Sequence, residues 1–215
     1  MTKITSLQAI AGALVAFGLS AAPAHALATR TWVSGHGADS GACGLAAPCR
    51  TFAFALSQTA AGGEIDVLDP AGYGTVNITQ AISIVNDGVG VAGIQAGFGL
   101  NGVTINAGAT DSVHLRGLTI EGLGSGLSGI LFKTGGNLEI ENCVIRDFGN
   151  GINFSPSISS SFSVSNTIAS NNSGPGIAIE PTGSGAIVTG VFSNVQRGHR
   201  RHAAQCRCQQ QLCRT

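Results

Sequence analysis

A repeat of about two dozen residues runs through the middle of the chain and constrains its fold more than any other feature. Four segments align: SVHLRGLTIEG (112–122), NLEIENCVIRDF (137–148), SFSVSNTIASNN (161–172) and GAIVTGVFSNV (185–195). Short strands repeated at this period and joined by Gly, Asn and Ser turns are typical of a β-solenoid. The sequence therefore predicts an all-β fold, a parallel β-helix of about five to six coils over residues 64–196.

Two columns of equivalent positions follow from this alignment. The first contains only Gly and Asn and is the predicted turn column: Gly117, Asn142, Asn166 and Gly190. The second lies two residues earlier, is apolar, and is the predicted core column: Leu115, Ile140, Val164 and Val188. Gly and Asn tolerate the left-handed backbone of a sharp corner, and alternation along a strand turns the apolar column inward.

The segment before the coils predicts a cap. Residues 51–60 form a short amphipathic helix in which Phe52, Ala55, Leu56 and Thr59 share one stripe, and two glycines follow it. Residues 64–68 then predict the first strand. A helix at this point would cover the open end of the solenoid, as a terminal repeat must.

The sequence TFAFALSQTAAGGEIDVLDPAGYG (51–74) resembles the N-terminal cap and first coil of pectate-lyase-like right-handed β-helix proteins. Residues 31–195 are similar to a group of uncharacterised exported bacterial β-helix proteins. The resemblance implies a right-handed parallel β-helix with a short N-terminal capping helix. It implies no single activity, because proteins of this shape include lyases, hydrolases, epimerases, adhesins and passive spikes.

Residues 1–26 read as a secretory signal peptide. Lys3 supplies the positive charge, residues 10–19 the apolar stretch, and a cleavage site follows after Ala26 or Ala28. The apolar stretch is shorter than the roughly 20 residues that a membrane-spanning helix needs. The expected location is therefore the periplasm, the extracellular space or the cell surface of a bacterium, with no transmembrane segment.

Residues 27–63 contain Cys43 and Cys49, which bracket the sequence GLAAP. In an exported chain this spacing favours a local disulfide. Metal binding is the alternative, although no His or second Cys pair stands nearby at zinc spacing. Cys143 falls in the repeat next to the turn column and is predicted to be a small buried thiol.

The charge distribution argues against a nucleic-acid partner. Residues 29–196 contain five basic side chains against all eleven acidic ones, a net charge of −6. Nucleic-acid surfaces need clustered Lys and Arg to neutralise phosphates. The partner that we expect instead is a polysaccharide, contacted through the outward faces of the coils.

The composition changes abruptly at residues 197–215, which hold five Arg, two His, three Cys and four Gln after Gln196. Neither a zinc site nor a basic tail explains these spacings. A codon shift of one nucleotide converts Cys and Gln of this tail into the Val, Ala, Asn and Ser of the repeats. Our hypothesis is that 197–215 is a frameshift product, aberrant or disordered, that interrupts the solenoid within a coil.

One outward-facing cluster is the best candidate site: His114, Arg116, Glu139, Glu141, Arg146 and Asp147. Stacking places His114 beside Glu139 and Arg116 beside Glu141 in the next coil. These four residues are either cross-coil ion pairs or a shallow sugar-binding face with Glu139 or Glu141 as base. The aspartates are scattered over different coils, so no metal site is predicted and calcium would enter only with a lyase activity.

These observations predict an exported structural or binding module that contacts polysaccharide and is not an enzyme. The first alternative is a polysaccharide lyase, glycoside hydrolase or epimerase acting on an acidic glycan through the face at His114 and Glu141. The second alternative is a surface adhesin or an exported passenger fragment.

Overall fold

The computed structural model describes residues 27–199 and 213–214, and the predicted signal peptide (1–26) and most of the tail lie outside them. Within the described residues there is one helix, α1 (Phe52–Gln58). The strands are β1 (Ala28–Val33), β2 (Thr59–Val67), β3 (Ala71–Gly72), β4 (Val76–Ile78), β5 (Ile82–Val85), β6 (Ala92–Gln95), β7 (Val103–Asn106), β8 (Ser112–Arg116), β9 (Leu118–Thr134), β10 (Asn137–Glu141), β11 (Val144–Phe154), β12 (Ser160–Ser165), β13 (Ile168–Asn172), β14 (Ile177–Ile179), β15 (Val188–Ser193), β16 (Gln196–His199) and β17 (Cys213–Arg214).

The strands stack into parallel sheets that wind as a β-solenoid. The first sheet has the order β1-β2-β5-β8-β10-β12-β15-β17, and the second the order β16-β13-β11-β9-β6-β3. The first parts of β9 and β11 pair with β6 and β13, and their later parts pair with β7 and β14, which adds a third stack. The predicted fold class, a parallel β-helix with a short helix at its N-terminal end, is confirmed, with about five turns.

The core is a set of apolar columns that run along the solenoid. In the first sheet the register aligns one buried residue from each successive strand: Ile65, Ile84, Leu115, Ile140, Val164 and Phe192. Phenylalanine rings extend the core between coils, with centroids 4.2 Å apart for Phe154 and Phe162 and 5.1 Å apart for Phe162 and Phe192. Each coil therefore buries its apolar face only against its neighbours.

The last coil corrects two predicted positions. Gly190 lies opposite Phe162, not opposite Asn166, and Val188 lies opposite Ser160, not opposite Val164. Phe192 takes the core position that Val188 was predicted to fill. The repeat lengthens here, because Asn194 is the residue that stacks on Asn166, 28 residues away.

The corrected turn column has the backbone that its residue types predict. Gly117, Asn142, Asn166 and Asn194 all have φ between +46° and +71°. Asn194 donates from Nδ2 to Oδ1 of Asn166 at 2.9 Å, so the column carries a side-chain ladder at its upper end. Asn and Gly are favoured here because other residues rarely adopt left-handed backbone.

The N-terminal cap differs in its boundaries from the prediction. Helix α1 ends at Gln58, and Thr59 already belongs to β2, which pairs in parallel with the unpredicted strand β1. The predicted stripe faces the core, since Phe52, Ala55, Leu56 and Thr59 are all buried. The first sheet therefore begins at Ala28, well before the predicted boundary at residue 64.

The upper end of the solenoid contains a charged residue at an inward register position. Arg197 in β16 continues the column of Ile120, Ile145 and Ala169, and its guanidinium lies 5.0 Å from the centroid of the Phe192 ring. Strand β17 pairs with β15 in antiparallel fashion, unlike the other strand pairs that the structure describes.

Within the described residues, no helix has the length and apolar character to cross a bilayer.

Candidate functional site

Outward-facing ionisable residues of the first sheet line up across the coils, and we call them the charged face. They alternate with buried residues along each strand, which is why the same pleat that builds the core also presents them to solvent. The charged face consists of seven strand residues and of Asp87 in the turn after β5; the strand residues are Arg30, Glu64, Asp66, His114, Arg116, Glu139 and Glu141.

Four of the predicted candidates lie side by side on this face, and of their two predicted ion pairs that of Arg116 with Glu141 is present. The register places Glu139 beside His114 and Glu141 beside Arg116. The Glu141 carboxylate lies 3.9 Å from Nε2 of His114 and 3.9 Å from Nε of Arg116. Among the described ion pairs His114 meets Glu141 instead of Glu139, so the predicted pair of His114 with Glu139 is corrected.

Asp87 is a member of the charged face that sequence reasoning missed. It follows β5 at a turn, and its carboxylate lies 3.1 Å from the guanidinium of Arg116. Arg116 thus stands between Asp87 and Glu141. Two carboxylates therefore pair with the Arg116 guanidinium. This arrangement suits an ion pair that joins coils better than a residue that abstracts a proton.

The lower end of the charged face repeats this arrangement. Arg30 contacts Glu64 at 3.0 Å and also forms a close ion pair with Asp66. The hydrogen bond that Arg30 donates to the Asp66 carboxylate raises the pKa of Arg30 above its usual range. The ring of Trp32, on the same strand, lies 5.9 Å below the Arg30 guanidinium.

The structure separates Arg146 and Asp147 from the other predicted candidates. Both lie on β11 in the second sheet, around the corner from the charged face. The carboxylate of Glu121 is 3.7 Å from Arg146, and that of Asp147 is 3.9 Å from it. The predicted cluster of six is therefore two groups, one on each sheet.

Arg146 borders a shallow groove on the second sheet, with a volume of about 400 Å³. We call this depression the groove. It is lined by Pro70, Ala71, Gly72, Val91, Gly93, Ile94, Gln95, Thr119, Glu121 and Arg146. Sequence reasoning missed it, because a groove of this kind depends on which small residues stack on each other in neighbouring coils.

The groove exists because two glycines stack at its floor. Gly72 and Gly93 pair across β3 and β6, and the position above them is Thr119. Without side chains the floor lies at the level of the backbone. Gln95, Glu121 and Arg146 stack in register along one wall, so the groove presents amide, carboxylate and guanidinium groups in a row.

A second polar cluster holds the cap to the first coil. Asp69 accepts hydrogen bonds from Ser34 Oγ at 2.6 Å, from the Gly35 amide at 2.6 Å and from the Tyr73 hydroxyl at 2.7 Å. Burial opposes ionisation, but these hydrogen bonds outweigh it and hold the pKa of Asp69 below its usual value. Burial, together with this contact, raises the pKa of Tyr73 well above its usual range.

The cysteines have structural environments. Cys43 and Cys49 form the predicted disulfide in the cap. Cys143 is buried, and burial raises the pKa of its thiol to about 12, so the nucleophilic thiolate is suppressed. In the part of the chain that the structure describes, no three His, Cys, Asp or Glu side chains come together in a way that would hold a metal ion.

Comparison with known proteins identifies the family. The family model described as Domain of unknown function (DUF4957) matches residues 64–195, which is more than half of the chain. The chain belongs to this family. No curated protein and no solved structure matches it. The DUF4957 region covers the coils from β2 to the end of β15, and it includes both the charged face from Glu64 upward and the groove.

Proposed function

We propose that this protein is an exported β-helix module that binds a polysaccharide in the groove without cleaving it. The observation that carries the proposal is the groove itself. Its glycine floor lets an extended chain approach the backbone, and its wall offers Gln95, Thr119, Glu121 and Arg146 as hydrogen-bonding groups. Ligand sites combine a concave surface with a few placed polar groups, as this one does.

The resemblance of the cap and first coil to pectate-lyase-like right-handed β-helix proteins makes a glycan one of the ligands to test. That resemblance extends to shape alone. The charged face lacks the arrangement that catalysis would need, because Arg116 is held between two carboxylates and Glu141 is shared between Arg116 and His114. On this proposal the charged face stabilises the stack of coils, and the groove binds.

An extracytoplasmic location forms part of the same proposal. The Cys43–Cys49 disulfide lies in the cap, and structural disulfides persist in oxidising compartments. The N-terminal sequence has the pattern of a secretory signal.

Filling the groove tests the proposal. A Cβ atom on Gly72 would meet no atom within 4 Å, and the Gly72 backbone is not left-handed, so Gly72→Leu places a side chain on the floor without strain. We expect Gly72→Leu to lower affinity for soluble polysaccharides at least about tenfold in affinity electrophoresis and titration calorimetry. The leucine would occupy the space that the glycan backbone needs.

The matched control is Gly44→Leu in the cap. Gly44 also has open space around its Cβ position and ordinary backbone, and it lies outside the groove. Its affinity should equal that of the wild type. Equal polysaccharide affinity of Gly72→Leu and Gly44→Leu would contradict the proposal. Release of unsaturated products or new reducing ends from the polysaccharide by the wild type would contradict it as well.

A further inference from the structure

An apolar corner projects from the solenoid beside the groove. Four large apolar side chains there are more than half exposed: Phe98 (90%), Leu100 (53%), Leu123 (57%) and Leu127 (55%). We call these four residues the apolar corner. Contiguous exposed apolar residues on a soluble protein mark interaction sites more often than isolated ones do.

The apolar corner is formed by enlarged turns in two neighbouring coils. The register jumps from Glu121–Arg146 to Gly126–Phe148, so residues 123–125 are extra relative to the next coil and bulge outward. Leu127 donates its backbone N–H to Leu100 at 2.8 Å, which binds the two turns together. Leu123 has φ of +52°, a conformation that costs free energy for a leucine and that concentrates at functional turns.

The corner continues directly from one wall of the groove. Gln95 lines the groove, and Phe98 follows three residues later, which limits their separation to about 10 Å. Glu121 also lines the groove and precedes Leu123 by two residues. A chain lying in the groove and leaving it past Gln95 would therefore come within about 10 Å of the Phe98 backbone.

The charges around the groove disfavour an anionic ligand. Arg146 is the cation among the groove residues, and Glu121 and Asp147 both stand within 4 Å of it. Residues 27–199 carry six basic side chains against eleven acidic ones, a net charge of −5. A polyanion would be repelled by this field. Arg146 is already paired, and Arg50 at the edge of the groove donates to the Gly72 carbonyl at 2.6 Å.

We propose that the ligand of the groove is an uncharged glycan and that Phe98 provides its stacking platform. The inference rests on the proposed function. The apolar C–H face of a neutral pyranose packs on the exposed phenyl ring, while its hydroxyls bond Gln95 and Thr119. A sugar and an aromatic ring pack in this way because both present an apolar face.

The experiment is a titration with defined oligosaccharides. Wild type, Phe98→Ala and Leu45→Ala are titrated with cellohexaose, xylohexaose, fully N-acetylated chitohexaose and hexagalacturonate by calorimetry. Leu45 is a matched control, because it is 61% exposed and lies in the cap away from the groove. Far-ultraviolet circular dichroism checks that the variants fold. We expect them to fold, because the side chain at position 98 is exposed.

We expect at least one neutral hexamer to bind wild type and Leu45→Ala equally, and Phe98→Ala about tenfold more weakly. Its affinity should change less than about twofold between 0.05 and 0.5 M salt, because no charged pair forms with the ligand. Tighter, salt-sensitive binding of hexagalacturonate would overturn the inference and leave the proposed function standing. Equal affinity of wild type and Phe98→Ala for a neutral hexamer would overturn the role of Phe98. Failure of all four ligands to bind would overturn the proposed function itself.

Discussion

At the scale of single residues, Asp69 links the cap to the first coil. It is the acceptor that Ser34, Gly35 and Tyr73 share, and the Tyr73 hydroxyl also bonds the Asp69 carbonyl at 2.5 Å. Tyr73 in turn packs on Phe52 of α1 with ring centroids 5.0 Å apart. One carboxylate thus joins the segment after β1 to the ring that supports the helix.

Asp69→Asn should destabilise the protein by about 1–3 kcal/mol at pH 7, because it replaces charge-assisted hydrogen bonds with weaker ones and brings an amide donor against donors. The folded pKa of Asp69 lies below the unfolded one. The contribution of the carboxylate is therefore full above about pH 4 and is lost as pH falls through the folded pKa. Urea unfolding of both proteins between about pH 3 and 7 measures this difference.

The control is Asp87→Asn, since the Asp87 side chain is 63% exposed and its ion pair contributes less than about 1 kcal/mol. A difference between wild type and Asp69→Asn that stays constant over the whole pH range would contradict the assignment.

At the scale of the element, a glycine in the last coil makes room for an aromatic ring of the coil below. Gly190 faces inward on β15, and a Cβ atom there would lie 2.1–2.4 Å from the ring of Phe162. That ring cannot retreat, because Phe154 stacks on one side of it and Phe192 packs on the other. Gly190 is therefore a core position reserved for the phenyl ring of the coil below.

Gly190→Ala should lower the free energy of unfolding by about 1–3 kcal/mol, as overpacking of a tight core does. Thermal and urea unfolding measure the loss. Phe162→Leu in the same chain should recover part of it, because the shorter side chain makes room for the new methyl group. A Gly190→Ala protein as stable as wild type would show that the ring moves aside.

The inward and outward positions of the strands were predictable from the sequence, because successive side chains point to opposite faces of a strand and the apolar ones are buried. Leu115 and Ile140 were predicted inward, and the structure buries both. Register in the last coil was not predictable. The connection between β14 and β15 is longer than the connections that lead into β10 and β12. Alignment by sequence similarity alone therefore placed Gly190 in the turn column with Asn166, whereas the structure pairs it with Phe162.

The candidate site was predicted only where it follows from strand register. His114, Arg116, Glu139 and Glu141 share strands whose pairing the repeat defines, so their neighbours were predictable. Asp87, the glycine floor at Gly72 and the corner at Phe98 were not, because each depends on how a turn folds back in space. Turn geometry is set by local insertions that carry no periodic signal.

At the scale of the whole molecule, stability should vary along the solenoid axis. Strands β8, β10 and β12 have a coil on each side, while β1 lies at the lower end of the first sheet. A solenoid's stability is close to a sum over coils and their interfaces, so its end opens at lower free energy than its middle.

Hydrogen exchange followed by mass spectrometry should therefore show amides of β8, β10 and β12 exchanging at least about tenfold more slowly than those of β1. Reducing the Cys43–Cys49 disulfide should speed exchange in β1 and leave β10 and β12 unchanged, because the bond lies in the cap alone. Uniform protection along the axis, or loss of protection everywhere on reduction, would indicate one all-or-none unit instead.

The two-glycine floor of the groove spans two adjacent coils, and neighbouring strands stand about 4.8 Å apart. On the proposed function, the solenoid would act as a ruler. Inserting or deleting a whole coil at this point would change the length of glycan recognised in steps of one strand spacing, while the walls on either side kept their register. Related proteins would then differ in the length of glycan that they recognise mainly through the number of coils with glycine at this position. The side chains of a single coil would matter less.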